Sequence, residues 1–264
     1  MQPYKIFAVK YGAHGPRAAS LNFIGADPHE EGSPLDFFVW AVVGPERTFL
    51  VDTGFDATLA KKRNRTVLRA PAEGLKAIGV KATDIRDVII THLHYDHAGT
   101  CGDFPNARFH LQDKEMQFAT GRCMCHAPFR HAFEPDHIVD MVRNVFAGRV
   151  AFHNGEEELA PGISVHHVGG HTMGMQVVRV WTERGWVVLA ADATHLYANI
   201  DDIRPFPIVY HVGEMIEAYG TIRKLAASPH HIIPGHDPLV MRRYPAASRE
   251  LEGIVARLDV APRA

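Results

Sequence analysis

Four side chains able to bind a metal fall within six positions of the stretch Thr91 to Gly99: His92, His94, Asp96 and His97. They follow an apolar run, Asp87-Val88-Ile89-Ile90, that reads as a buried strand. Residues two apart in extended chain point the same way, so His92 and His94 can grip one ion together. Asp96 and His97 come after the strand end, where a turn can aim them at a second point nearby. Ala98-Gly99 is small enough to let the backbone fold tightly behind them. A single histidine is more often a surface or hydrogen-bonded core residue. Four potential ligands packed this closely after a strand point to a metal. Imidazole and carboxylate without thiolate suit zinc, and also manganese, iron or cobalt.

The second half of the chain adds three more candidates, each at the end of an apolar run and beside glycine or a turn. His171 follows Gly169-Gly170, Asp192 follows the run Trp186 to Ala191, and His236 follows Pro234-Gly235. Strand ends place ligands accurately, and glycine lets the backbone come close. Seven ligands are too many for one tetrahedral zinc; two ions sharing a carboxylate use them economically.

The motif H-x-H-x-D-H resembles the signature of the metallo-β-lactamase superfamily, and the resemblance runs in order through His171, Asp192 and His236. It implies an α/β fold, an αββα sandwich with the metal site where two sheets meet. It implies that His92, His94 and His171 hold a first ion, that Asp96, His97 and His236 hold a second, and that Asp192 bridges them. Asp52-Thr53-Gly54 would then sit beneath the site and hold ligands by hydrogen bonds. Two divalent ions, zinc by this resemblance, would activate a bridging hydroxide to attack a carbonyl. Asp96 would also carry a proton to the leaving group.

Within the superfamily the chain looks most like the N-acyl-homoserine lactonase group. The size, the hairpin ending in Asp-Thr-Gly, the insertion before His171 and the close of the chain soon after His236 carry that likeness. True β-lactamases typically lack the bridging carboxylate, di-iron flavoproteins carry a flavodoxin domain, and the nuclease branches carry further domains or arms. In the lactonases a tyrosine shortly after the bridging aspartate contacts the lactone carbonyl. Here that position holds His195, and Tyr197 lies two residues on; either could donate a hydrogen bond. The alternatives are a glyoxalase-II-like thioester hydrolase, with Arg242-Arg243 as its basic pocket, and a catabolic lactonase for another small lactone.

The elements that must position these residues can be read in outline. Strands are expected at Lys5 to Val9, Phe37 to Val43, Thr48 to Val51, Ala107 to Leu111, Ile163 to Val168, Met175 to Trp181, Trp186 to Ala190 and His231 to Pro234. Helices are expected at Pro71 to Gly79, Gln112 to Thr120, Asp136 to Phe146 and Val212 to Ala227, with a closing helix from Tyr244 to Ala264. Tyr11 to Pro34 reads as a long loop lying over another part of the surface or against a second subunit. Residues 121–147 read as a helical insertion over the site, with Met124, Phe129, Phe133 and Met141 available for apolar substrate contacts. A third zinc site from Cys123, Cys125, His126 and His131 would need an unusual one-residue cysteine spacing. No linker divides the chain, so residues 1–264 are expected to form one domain.

Composition narrows the partners. The 264 residues are 46 % hydrophobic and 22 % charged, with net charge −2. That is enough for one large core, with no basic field to recruit nucleic acid or an anionic membrane. No signal peptide or membrane-spanning run is evident. Three cysteines make no disulfide framework, so the cytoplasm is the expected compartment. The expected partner is a small-molecule lactone, with a homodimer possible through the long loop.

Overall fold

The structure, a computed structural model, describes residues 1–263. Thirteen strands make two sheets: β1 (Lys5–His14), β2 (Leu35–Val43), β3 (Thr48–Val51), β4 (Thr66–Val67), β5 (Asp87–Ile89), β6 (Arg108–Gln112), β7 (Val150–His153), β8 (Glu156–Ala160), β9 (Ile163–His167), β10 (Gln176–Thr182), β11 (Gly185–Ala191), β12 (Ile232–Pro234) and β13 (Val255–Arg257). The first sheet has the order β13-β1-β2-β3-β5-β6-β7, with the short β4 also paired to β1; the second runs β12-β11-β10-β9-β8. The helices are α1 (Ala57–Lys62), α2 (Pro71–Lys76), α3 (Asp113–Thr120), α4 (Ala127–Arg130), α5 (Pro135–Phe146), α6 (Tyr197–Asp201), α7 (Val212–Leu225) and α8 (Leu239–Arg243).

Period-two alternation places the first sheet between two cores. From β2, Phe38, Trp40 and Val42 face a core shared with Val178, Val180, Val188 and Ile233 of the second sheet. Phe37, Val39 and Ala41 face the other way, into a core with Phe55, Leu75, Phe104 and Phe118. Helix α7 turns Met215, Tyr219 and Ile222 into the inter-sheet core, the spacing of one helical face. The result is helices, sheet, sheet and helices in layers. Gln176 ties the sheets together, donating from Nε2 to the carbonyls of Ile90 at 2.8 Å and His110 at 3.1 Å.

This layering brings four strand ends to one edge. The Thr91–Gly99 segment follows β5, His171 follows β9, Asp192 follows β11 and His236 follows β12. Two backbone positions at this edge are held in unusual conformations: Asp52 at φ 60° and Ala191, just before Asp192, at φ 42°. Such strain persists where the surroundings over-determine it, often at functional sites. A Cβ at Gly235 would lie 2.6 Å from Asp192 Oδ1, so only glycine lets that chain pass.

The structure corrects several expectations. The tail does not form a closing helix from Tyr244; Ala264 itself lies outside the described residues. Instead β13 adds to the edge of β1, with Phe7 opposite Arg257 and Val9 opposite Val255. Burial of Val255, Ala256 and Leu258 against that edge wins over local helical preference, and Gly253 at φ 71° breaks the chain beforehand. Strand β1 also continues to His14, so the loop begins later than Tyr11. The loop lies over the α6 region: Arg204 makes a paired contact with Glu30 at 2.7 Å, and Asn199 donates to the Asn22 carbonyl at 2.9 Å. Helix α1, capped by Asp56, and the edge strand β8 were not legible, the latter because Glu156, Glu157 and Glu158 give it no apolar pattern. No described helix is long and apolar enough to cross a membrane.

Candidate metal centre

Three imidazole nitrogens converge on one point. His171 Nε2 lies 3.2 Å from His92 Nε2 and 2.9 Å from His94 Nδ1. Two nitrogens on one tetrahedral zinc, bound at about 2.0–2.1 Å, would stand roughly 3.4 Å apart. The remote nitrogens fix which face points inward. His171 Nδ1 donates to the Ile208 carbonyl at 2.6 Å, leaving Nε2 as a lone pair. Burial, then mutual repulsion, holds His92 and His94 well below the usual imidazole range, and burial brings His171 to about 3. All three are therefore neutral, the form that binds a cation.

A second group, Asp96, His97, Asp192 and His236, also brings its ligand atoms together. His236 Nδ1 donates to the Asp36 carbonyl at 2.9 Å, and His97 Nδ1 donates to Asp52 Oδ2 at 2.7 Å. Their Nε2 atoms face Asp192 Oδ1, at 2.9 Å for His236 and 3.3 Å for His97. Asp192 Oδ2 instead faces the first group, 3.4 Å from His171 Nε2 and 3.9 Å from His92 Nε2. One carboxylate thus presents one oxygen to each triad. Burial opposes charge on His97 and His236, but Asp192, with Asp52 and Asp96 for His97 and Asp96 for His236, raises both above the ordinary value. His97 Nε2 and Asp192 Oδ1 are buried without a hydrogen-bond partner among the described residues. The donor set fits two divalent cations, one for each group.

Support lies beneath. Asp52 accepts from the Thr91 amide and hydroxyl, each at 2.8 Å, besides His97. Thr53 Oγ1 donates to the His97 carbonyl at 3.1 Å, and Gly99 N donates to the Gly54 carbonyl at 2.9 Å. The sequence did not reveal Glu115. It is fully buried, and its carboxylate joins the two ligand loops by accepting from Leu93 N at 2.8 Å, Thr172 Oγ1 at 2.6 Å and Gly174 N at 3.1 Å.

The structure separates the two residues expected near the substrate carbonyl. His195 lines the cavity over the metal groups, donates from Nε2 to Asp192 Oδ2 at 2.9 Å and stacks on Phe206 at 3.5 Å. Burial brings its pKa down to about 4. Tyr197 is absent from that lining: its ring lies under the Arg243 guanidinium at 3.9 Å, inside the inter-sheet core. The α6 turn after Leu196 carries it away from the ligands, and this corrects the expectation for Tyr197. Arg243 is thereby engaged, and neither it nor Arg242 lines the cavity.

Other cavity residues were not anticipated: His14, Arg17, Arg63, Arg65 and Tyr95. No motif marks the first four, which come from the end of β1, the long loop and the stretch after α1; Tyr95 stands inside the ligand motif, between His94 and Asp96. Cys123, Cys125, His126 and His131 form no metal-holding group among the described residues. Residues 121–147 supply Met124, Phe133 and Ile138 to a groove of about 720 Å³, which shares Arg63 and His131 with the metal cavity. Phe129 packs on Phe118 and Tyr210, and Met141 is buried in the core.

The family profile described as Metallo-beta-lactamase superfamily matches residues 37–236. A Bacillus cereus protein named N-acyl homoserine lactonase is 30 % identical over 195 residues, covering 66 % of this chain and 71 % of its own. The structure also resembles that of a quorum-quenching N-acyl homoserine lactone lactonase, with TM-score 0.74 and 24 % identity over 90 % of this chain and 93 % of the other. A dizinc quorum-quenching lactonase in complex with a product matches with TM-score 0.66 and 17 % identity, over 88 % and 86 % of the two chains.

Proposed function

Because the chain belongs to the metallo-beta-lactamase superfamily, we propose that it is a binuclear metal-dependent hydrolase that opens a lactone ring, with N-acyl-homoserine lactones the first class to test. The observation that carries this reading is Asp192, which turns one carboxylate oxygen to each of two histidine-containing groups. The lactonase name of the Bacillus relative supports the choice of ring.

In this reading His92, His94 and His171 hold one ion, Asp96, His97 and His236 the other, and Asp192 both. Zinc fits the nitrogen and oxygen donors. Bound there, the ions supply a Lewis acid for the carbonyl and activate water near neutral pH. The chain supplies the rest. Asp52 and Glu115 keep the ligand loops in place. Asp96, whose Oδ2 lies 3.7 Å from His236 Nε2 and 3.8 Å from His97 Nε2, sits at the cavity wall where it can pass a proton to the departing alkoxide. His195, rather than Tyr197, stands at the cavity, where its Nε2–H steadies Asp192; its other nitrogen, Nδ1, is buried and can only accept, so it is no donor to the carbonyl. The groove beside the cavity gives an apolar chain a place to lie. Residues 1–264 act as one hydrolase domain, with 121–147 as its insertion.

The thioester alternative loses the basic pocket expected at Arg242-Arg243, since neither lines the cavity and Arg243 stacks on Tyr197. The test is proton release by the metal-loaded protein on short- and long-chain acyl-homoserine lactones, with a pH indicator. Chelator-sensitive turnover of either supports the proposal. Silence on both, with turnover of a thioester, overturns it.

A further inference from the structure

One part of the cavity wall is basic, carrying Arg17, Arg63 and Arg65 with His14 between two of them. Arg63 is already neutralised: its Nε donates to Glu134 at 2.8 Å, and its other groups reach the carbonyls of His131 and Phe133. Arg17 and Arg65 differ. Arg17 donates to the Leu21 carbonyl at 2.8 Å. Arg65 donates to the Arg63 carbonyl at 2.7 Å, the Asn64 carbonyl at 3.3 Å and the Tyr95 hydroxyl at 3.0 Å. Among the described residues every partner of these two guanidiniums is neutral, and Arg17 Nε is buried with none.

His14 sharpens the imbalance. Arg17 Nη1 lies 2.9 Å from its Nδ1, and Arg65 Nη1 lies 3.1 Å from its Nε2. A guanidinium only donates; a neutral imidazole has one acceptor nitrogen, and a protonated one has none. At most one of the two contacts is therefore a hydrogen bond. In the other, an N–H faces an N–H. The cluster holds two positive charges and a surplus donor, partly buried beside the metal groups. Burial and the Arg65 charge pull Arg17 below its ordinary pKa, a strain that an anion would relieve.

We propose that Arg17, Arg65 and His14 form an anion subsite that receives a carboxylate or phosphate carried by the substrate. An oxyanion only accepts, cancels charge and matches the planar fork of arginine. For the reacting end this rests on the lactonase reading. It narrows the substrate from lactones with a neutral chain to lactones bearing an anionic substituent. The apolar groove favours the opposite choice, so substrate preference decides between the two walls.

The first measurement compares N-succinyl- with N-pentanoyl-homoserine lactone, of similar length but different charge. The succinyl compound is expected to have the higher kcat/KM by about tenfold or more, the size of a charge-assisted hydrogen bond. The difference should lie in KM and shrink with salt. Arg17→Gln or Arg65→Gln should bring the ratio close to one, and Arg65→Lys should retain part of it. Equal use of the two lactones by the unaltered protein, or a preference surviving in both glutamine variants, would overturn the subsite.

The second measurement needs no turnover. Calorimetry on the metal-loaded protein compares butyrate with succinate, glutarate and adipate, and with 4-phosphonobutyrate. All can reach the metals, but only the dianions can reach the arginines as well. At least one should bind about tenfold tighter than butyrate and lose that advantage in Arg17→Gln. The tighter of the carboxylate and phosphonate ligands identifies the anion. An arginine-dependent advantage without lactone turnover would leave the subsite and remove the lactonase reading. Lactone turnover without that advantage would do the reverse.

Discussion

Two clusters of histidine and carboxylate lie in this molecule, and they are built on opposite plans. In one, His110 and His153 stand side by side on β6 and β7. His110 Nε2 donates to Asp87 at 3.1 Å, the two rings meet at 3.0 Å, and His153 Nδ1 donates to Glu157 at 2.7 Å. Each of the four ring nitrogens has one partner within the cluster, so the chain of contacts closes on itself. In the other, His92, His94 and His171 aim lone pairs at a common point, and Asp192 offers its two oxygens to opposite sides. Only a cation satisfies that convergence. The histidines of both clusters are buried, so direction separates them, together with carboxylates that are buried at the second cluster and half-buried or exposed at the first. A histidine count would treat the clusters as equals; hydrogen-bond accounting separates a structural clasp from a metal centre.

The largest effect expected from breaking the comparison is at Asp192. Asp192→Ala, or His97→Ala, should abolish hydrolysis and release metal together, read by elemental analysis alongside turnover. Next comes the support. Asp52→Ala keeps every ligand but frees His97 Nδ1 and Thr91, and should weaken metal binding about 10–100-fold, measured by competition with a chelator. On the other cluster, His110→Gln should cost about 1–3 kcal/mol of stability in denaturant unfolding while metal content stays unchanged.

A pH experiment sharpens the same contrast. His97 and His236 are raised above the ordinary imidazole value by the carboxylates around them, so in the metal-free protein they hold protons that metal must displace. Apparent affinity should therefore rise with pH through the neutral range, with protons released on loading. Calorimetry in buffers of different ionisation enthalpy counts them. The smallest effect is at the cysteines. Burial pushes Cys101 up to about 12, whereas Cys123 and Cys125 are partly or fully exposed. A thiol reagent at pH 8 should find two reactive groups in the native chain and three after unfolding, and Cys123→Ala should leave metal and activity unchanged.

Much of this was legible because it rests on local pattern. Apolar runs gave most strands of both sheets, though not β4, β7, β8 or β13, and each of the seven candidate ligands follows a strand end. What was missed depends on contacts between distant segments. The tail became β13 because the edge of β1 was there to receive it. Glu115 looks like any acidic residue in the first turn of a helix until the loops it joins are folded over it. Tyr197 and His195 are two residues apart in sequence, yet the α6 turn sends one into the core and leaves the other at the cavity. The arginine pair carries no motif at all; it exists only where β1 meets the stretch after α1.

The most direct test of the central claim is native mass spectrometry of the zinc-reconstituted protein beside its Asp192→Ala and His110→Gln variants. The convergent geometry predicts two ions in the unaltered chain, two in His110→Gln and no more than one in Asp192→Ala. Two ions retained in Asp192→Ala, or an ion lost from His110→Gln, would contradict it.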